Sequence, residues 1–169
     1  MLVYSTTKKE RNIEMKDKIV IGYCRISTNR QNLERQERNI LARYPDALIY
    51  KEVYTGTKIT GRKVWNTVYN LVRKEADKKD ITIVFDSVSR MSRDATEGFE
   101  LYKELYNMGV RLVFLKEPHI NTDTYKEQLN KQIQIDAQLG DEATTKLMNS
   151  ITDALNVYVM DLAVKQIKL

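Results

Sequence analysis

The chain has 169 residues, with 28 Lys plus Arg against 23 Asp plus Glu and a net charge of +5, enough for one full domain with its own core and too few for two. Its single cysteine, Cys24, excludes an internal disulfide and a thiolate metal site and fits a reducing, cytoplasmic interior. No run approaches the roughly 20 apolar residues of a membrane span, the N-terminus lacks the apolar core of a secretion signal, and the mild basic excess favours an anionic partner without identifying one.

Residues 1–16 are polar and aperiodic, with Lys8-Lys9-Glu10-Arg11, and read as a flexible extension. From Lys18 short apolar runs alternate with amphipathic ones. Residues 18–25 predict a strand, roughly 29–43 a helix and 47–53 a second strand. A helix over 63–78 follows, then the strand Ile81-Thr82-Ile83-Val84-Phe85, a helix from Asp94 to Met108 that Gly109 stops, and the strand Val110 to Leu115. The expected class is α/β: a mostly parallel sheet of about four to five strands, covered by helices, in one domain over 17–143. Residues 116–143, with Pro118 and Asn121-Thr122-Asp123-Thr124, predict an irregular excursion with a short helix around Tyr125 to Leu139. Over 144–169, Leu147, Ile151, Ala154, Tyr158 and Leu162 fall at helical spacings in a segment apolar nearly all round. That segment predicts a long helix that packs on a second subunit along its length, with a wholly buried core helix as the alternative.

The stretch Tyr23-Cys24-Arg25-Ile26-Ser27-Thr28 closes the first strand, and alternation puts Tyr23, Arg25 and Ser27 on one face and Cys24 on the other. Parallel topology gathers further polar residues at the same carboxyl edge. Gln31 and Gln36 lie in the loop and helix after Ser27. The loop Tyr54 to Arg62 carries two glycines and ends in an arginine. Asp86 to Asp94 holds Arg90 and Arg93 at a spacing that shares one side of a helix. Each arginine alone reads as a solvated charge. Three loops that each offer guanidinium groups beside a strand-end serine favour a phosphate site, because the planar donor fork matches phosphate oxygens.

In this order and approximate spacing, Tyr-x-Arg-x-Ser, the glutamine-bearing helix, the Gly-containing loop to an Arg and the Arg-x-x-Arg pair resemble the serine recombinases, the resolvase and invertase group, from about Lys18 to Leu169. The position before Arg90 is Ser89, with Asp86 three residues earlier, where many members carry Asp. The resemblance implies Ser27 as nucleophile and Arg25, Arg62, Arg90 and Arg93 around the scissile phosphate, with Gln31, Gln36 and Tyr23 as helpers. It also implies double-stranded DNA as partner, a homodimer that assembles to a tetramer through 144–169, and a separate DNA-binding region after that helix, absent from this chain.

The only histidine, His119, sits beside Pro118, so no His-based activation is available, and clustered arginines would act electrostatically. The resemblance implies that Ser27 is joined to a 5′ phosphate while a 3′ hydroxyl leaves, and that reversal reseals the DNA. No cofactor is expected, because the phosphoserine retains the bond energy, and no metal, because no ligand spacing appears. Two other readings stand beside it: a non-catalytic dimerising module kept for regulation, and a small-phosphoester hydrolase on the same edge.

Overall fold

The computed structural model describes residues 16–28 and 30–139. In chain order the elements are β1 (Lys18–Ile26), α1 (Arg30–Arg43), β2 (Leu48–Val53), α2 (Lys63–Glu75), β3 (Asp80–Phe85), α3 (Val88–Met91), α4 (Ala95–Asn107), β4 (Arg111–Phe114) and α5 (Thr122–Leu139), with 3₁₀ turns at Ile59–Gly61 and Pro118–Ile120. The sheet is four-stranded, in the order β2-β1-β3-β4, and every pairing is parallel. The α/β class expected from the sequence is what the chain adopts. The long helix expected over 144–169 lies outside the described residues.

Central β1 has neighbours on both sides and helices over both faces, so its last six residues, Ile21 to Ile26, are all buried. One face carries the larger core, in which Tyr23, Trp65, Phe85, Phe114 and Tyr102 form a run of ring contacts with centroids 5.1 to 6.3 Å apart. The other face packs Cys24, Ile40, Val84 and Val113 beneath α1. Gly22 permits close packing there, since a Cβ would stand 2.6 Å from Ile49 Cδ1 and 3.0 Å from Ile40 Cγ2 and those side chains would have to shift. Gly109 follows α4 at φ +80°, the left-handed turn that ends a helix most cheaply with glycine.

The helix expected around Tyr125 to Leu139 is present as α5, which starts three residues earlier at Thr122, so residues 116–139 are less irregular than expected. The polar cluster is the start of α5, and it covers the open edge of β4: Thr122 Oγ1 accepts from Leu112 N at 3.0 Å and Asn121 Oδ1 from Phe114 N at 2.7 Å. These side chains bond the edge amides as a neighbouring strand would, which is why a polar tract occurs beside β4.

The strand order reverses between β1 and β3. After β1 the chain turns toward β2, and after β3 it turns toward β4, which opens a crevice at the carboxyl ends of the two central strands.

Candidate active site

β1 outruns β3 by three residues, the last β1–β3 pair being Tyr23 with Phe85. The backbone of Arg25 therefore has no strand neighbour on that side and needs other partners. Gln36, fully buried on α1, supplies both: its Oε1 accepts from Arg25 N at 3.1 Å and its Nε2 donates to Arg25 O at 3.2 Å. Arg90 Nη1 also donates to Arg25 O, at 3.1 Å. The end of β1 is thus held by side chains from α1 and α3, and Ser27, half-buried, follows it directly.

Arg25 and Arg62 are both fully buried. Arg25 donates through Nε to Arg90 O at 3.2 Å and through Nη2 to Ser89 O, while Arg62 donates through Nη1 to Met91 O. The two guanidinium groups so cap successive carbonyls of the short α3. Their remaining buried nitrogens, Arg25 Nη1 and Arg62 Nε and Nη2, together with Arg90 Nε, have no hydrogen-bond partner among the described residues. Each buried donor left unpaired costs about 1–3 kcal/mol.

Burial, together with the neighbouring Arg62, Arg93 and Arg90 charges, brings the Arg25 guanidinium down to about 10. It remains a cation at neutral pH, in a site that repels its own charges. Arg90 is lowered by burial and by Arg93 and Arg35, against the pull of Asp86. Asp86, fully buried, accepts from Asn39 Nδ2 at 2.7 Å and forms an ion pair with Lys116 Nζ at 3.0 Å.

The expected helical spacing of Arg90 and Arg93 is not what joins them. α3 ends at Met91, and Ser92 is extended at φ −146°, ψ 152°, so Arg93 lies on the link to α4. Asp94 then caps α4 by accepting from Glu97 N at 2.8 Å. Arg93 nonetheless lies within electrostatic reach of Arg25 and Arg90. Gln31 lies in the first turn of α1.

Tyr23 is packed in the core rather than open at the edge, edge-on to Trp65 and Phe85, with its hydroxyl donating to Glu52. Burial and then Glu52 raise its pKa, which keeps the phenol protonated. Cys24 faces away from Ser27, as strand alternation predicts, and burial pushes its thiol up to about 12, so it is inert as a nucleophile at neutral pH.

Two residues to which the sequence assigns no role, Glu52 and Tyr54, organise this edge. Glu52, buried on β2, accepts from Tyr23 and from Val64 N at 2.9 Å and Trp65 N at 3.2 Å. Its carboxylate closes the start of α2, whose N-cap residue is Arg62 and makes no side-chain cap of its own. Tyr54 fills the loop before Arg62: a Cβ on Gly56 or Gly61 would fall 2.4 or 2.2 Å from its hydroxyl, and the Arg62 guanidinium lies 5.9 Å from its ring centroid. A charged residue at the end of a strand, in a loop with two glycines and a tyrosine, is the signal that could have found them.

Among the described residues no group of three or more His, Cys, Asp or Glu is arranged to hold a metal ion, and no helix is long and apolar enough to cross a membrane.

The fold is similar to that of the N-terminal catalytic domain of TP901-1 integrase, with a TM-score of 0.55 and 18% identity, covering 82% of this chain and 98% of that one. Over 98 residues the sequence is 29% identical to a resolvase/recombinase of Pseudomonas putida, a stretch that is 58% of this chain and 51% of that protein. The chain therefore aligns with about half the length of this curated relative. The family model of the resolvase N-terminal domain matches residues 20–156, most of the chain, and by that match the protein belongs to the resolvase family of serine recombinases.

Proposed function

We propose that this domain carries out site-specific DNA recombination, with Ser27 cleaving and rejoining the strand through a 5′-phosphoserine link. The observation that carries the reading is the set of buried, unpartnered nitrogens on Arg25, Arg62 and Arg90 at the end of the strand that presents Ser27. Buried polar groups are nearly always paired, and donors left over on three converging cations fit an anion with several oxygens.

In the proposed step Ser27 Oγ attacks phosphorus, its proton leaves, the bond from phosphorus to the 3′ oxygen breaks, and that oxygen departs as a hydroxyl after gaining a proton. The 5′ phosphate is then an ester of Ser27, and attack by a 3′ hydroxyl reverses the step with no net change in bond type. Arg25 and Arg62 hold the non-bridging oxygens, and Arg90 and Arg93 add charge that stabilises the pentacoordinate state. Binding a phosphate also offsets the burial and the repulsion that together lower Arg25. Gln36 acts as a positioning residue by fixing the backbone of Arg25, Gln31 assists from the same helix, and Tyr23 acts through Glu52 rather than as a nucleophile. Duplex DNA is the partner, and the homodimer and tetramer that recombination requires are assigned to 144–169. The protein is placed in the cytoplasm.

The test fuses a sequence-specific DNA-binding domain after Leu169 and offers a nicked duplex bearing its sites. The wild type forms a covalent adduct that maps to Ser27, and Ser27→Ala forms none while keeping its melting temperature. An adduct that survives in Ser27→Ala excludes Ser27. Absence of any adduct from a folded, dimeric wild type supports the non-catalytic module instead.

A further inference from the structure

A cavity of about 520 Å³ lies between the 3₁₀ turn and α2 on one side and α4 on the other. Its open apolar surface is the half-buried Tyr69 ring, with the nearly covered Ile59, Trp65 and Leu101 beneath it. One wall is acidic: Glu97, Glu100 and Glu104 fall at spacings of three and four along α4, which puts them on one side of the helix. In a chain of net charge +5, none of the three makes an ion pair among the described residues. Glu97 Oε2 is buried with no partner, whereas its Oε1 accepts from Ile59 N at 3.1 Å. Tyr69 donates to Glu104 across the opening.

From this combination we infer that the α2–α4 groove is a docking site for a basic, amphipathic segment of a partner protein. Apolar side chains of the segment cover the Tyr69 ring and the remaining edges of Ile59 and Leu101, and lysine or arginine side chains meet the acidic wall, a match by sign as well as shape. Nucleic acid is excluded as the occupant, because its phosphates would face uncompensated carboxylates. The groove also adjoins the catalytic edge. Glu97 holds the amide of Ile59, the first residue of the turn that ends at Gly61, next to Arg62.

Trp65 is the only tryptophan of the chain and lines the groove, so its fluorescence reports binding directly. The probe is a synthetic helical peptide with lysines at positions i, i+3 and i+7 and leucines between them, and its control carries glutamates in place of the lysines. With the full chain the basic peptide gives a saturable change that weakens roughly tenfold in the exposed-site variant Glu100→Gln/Glu104→Gln, and falls as salt rises from about 0.05 to about 0.3 M. The acidic peptide gives none. No saturable change by fluorescence or calorimetry, equal affinity of the double variant, or equal binding of the acidic peptide overturns the inference. Self-association of the chain that the double variant abolishes also overturns it, since the groove would then belong to a second copy. None of these readouts depends on DNA cleavage, so their failure leaves the recombination reading untouched.

Discussion

Tyr23 and Arg25 are two residues apart on one face of one strand, and both are fully buried, yet they belong to regions built on opposite terms. Around Tyr23 the aromatic cluster is satisfied: rings meet at 5.1 and 5.9 Å and the one hydroxyl has its carboxylate. Around Arg25 four buried nitrogens on three arginines have no hydrogen-bond partner among the described residues, and the cations repel one another. The first region stabilises the fold, and the second is held in place by that stability. Degree of burial does not separate the two, whereas satisfaction of polar groups does.

Truncation at the two regions should therefore give opposite results. Phe85→Ala removes a ring that meets Tyr23, Trp65 and Phe114, and chemical denaturation should show a loss of about 3–5 kcal/mol. Arg62→Met, equally buried, removes one hydrogen bond to Met91 and two unpaired donors. It should cost less than about 1 kcal/mol or stabilise the protein. A loss from Arg62→Met as large as that from Phe85→Ala would mean that the arginine edge is structural, and the contrast would collapse.

Between these lies Glu52. Glu52→Ala leaves the hydroxyl of Tyr23 and the amides of Val64 and Trp65 unpaired in a buried setting, a destabilisation of about 2–4 kcal/mol. Loss of the start of α2 should also make the backbone of Arg62 exchange amide hydrogen faster. Unchanged protection there would separate Glu52 from the site.

A milder probe sharpens the same comparison. Inorganic sulfate at about ten times its dissociation constant should add about 1.4 kcal/mol by occupying the unpaired donors. Because sulfate also strengthens burial generally, the measured quantity is the gain in melting temperature of the wild type over that of Arg62→Met. Equal gains would show that no specific anion site exists.

Strands and longer helices were legible because each spans enough residues for its period to show. β1 to β4 and the helices α1, α2 and α4 fall where apolar spacing puts them, and Gly109 stops α4 as its flexibility implies. α3 has four residues, too few for a helical period, and so Arg90 and Arg93 were assigned to one helix when Ser92 separates them. Ser27 and the arginines were legible as residue types at a strand end. Their satisfaction was not, because it depends on Gln36, Glu52 and the carbonyls of Ser89, Arg90 and Met91, which reach the site from different elements. Asn121 and Thr122 read as a loop for the same reason: their partners are backbone amides of β4, and pattern within a window cannot reveal a partner outside it.

The smallest effect lies at Glu117, which accepts from Val88 N at 3.0 Å at the start of α3. Burial raises its pKa above the ordinary 4.5, although the Val88 amide and the charges of Lys116 and His119 pull the other way. The folded protein thus holds this proton more tightly than the unfolded chain does. Whatever the group adds to stability is present below the unfolded value and is lost as pH rises through the folded one. Glu117→Gln keeps an oxygen for Val88 and removes the ionisation, so at pH 7 the variant should melt slightly above the wild type, and below about pH 4 the two should coincide. A variant that melts lower at pH 7 would show that the charge-assisted bond to α3 outweighs the burial of the carboxylate. Glu117 would then belong with the satisfied region rather than the strained one.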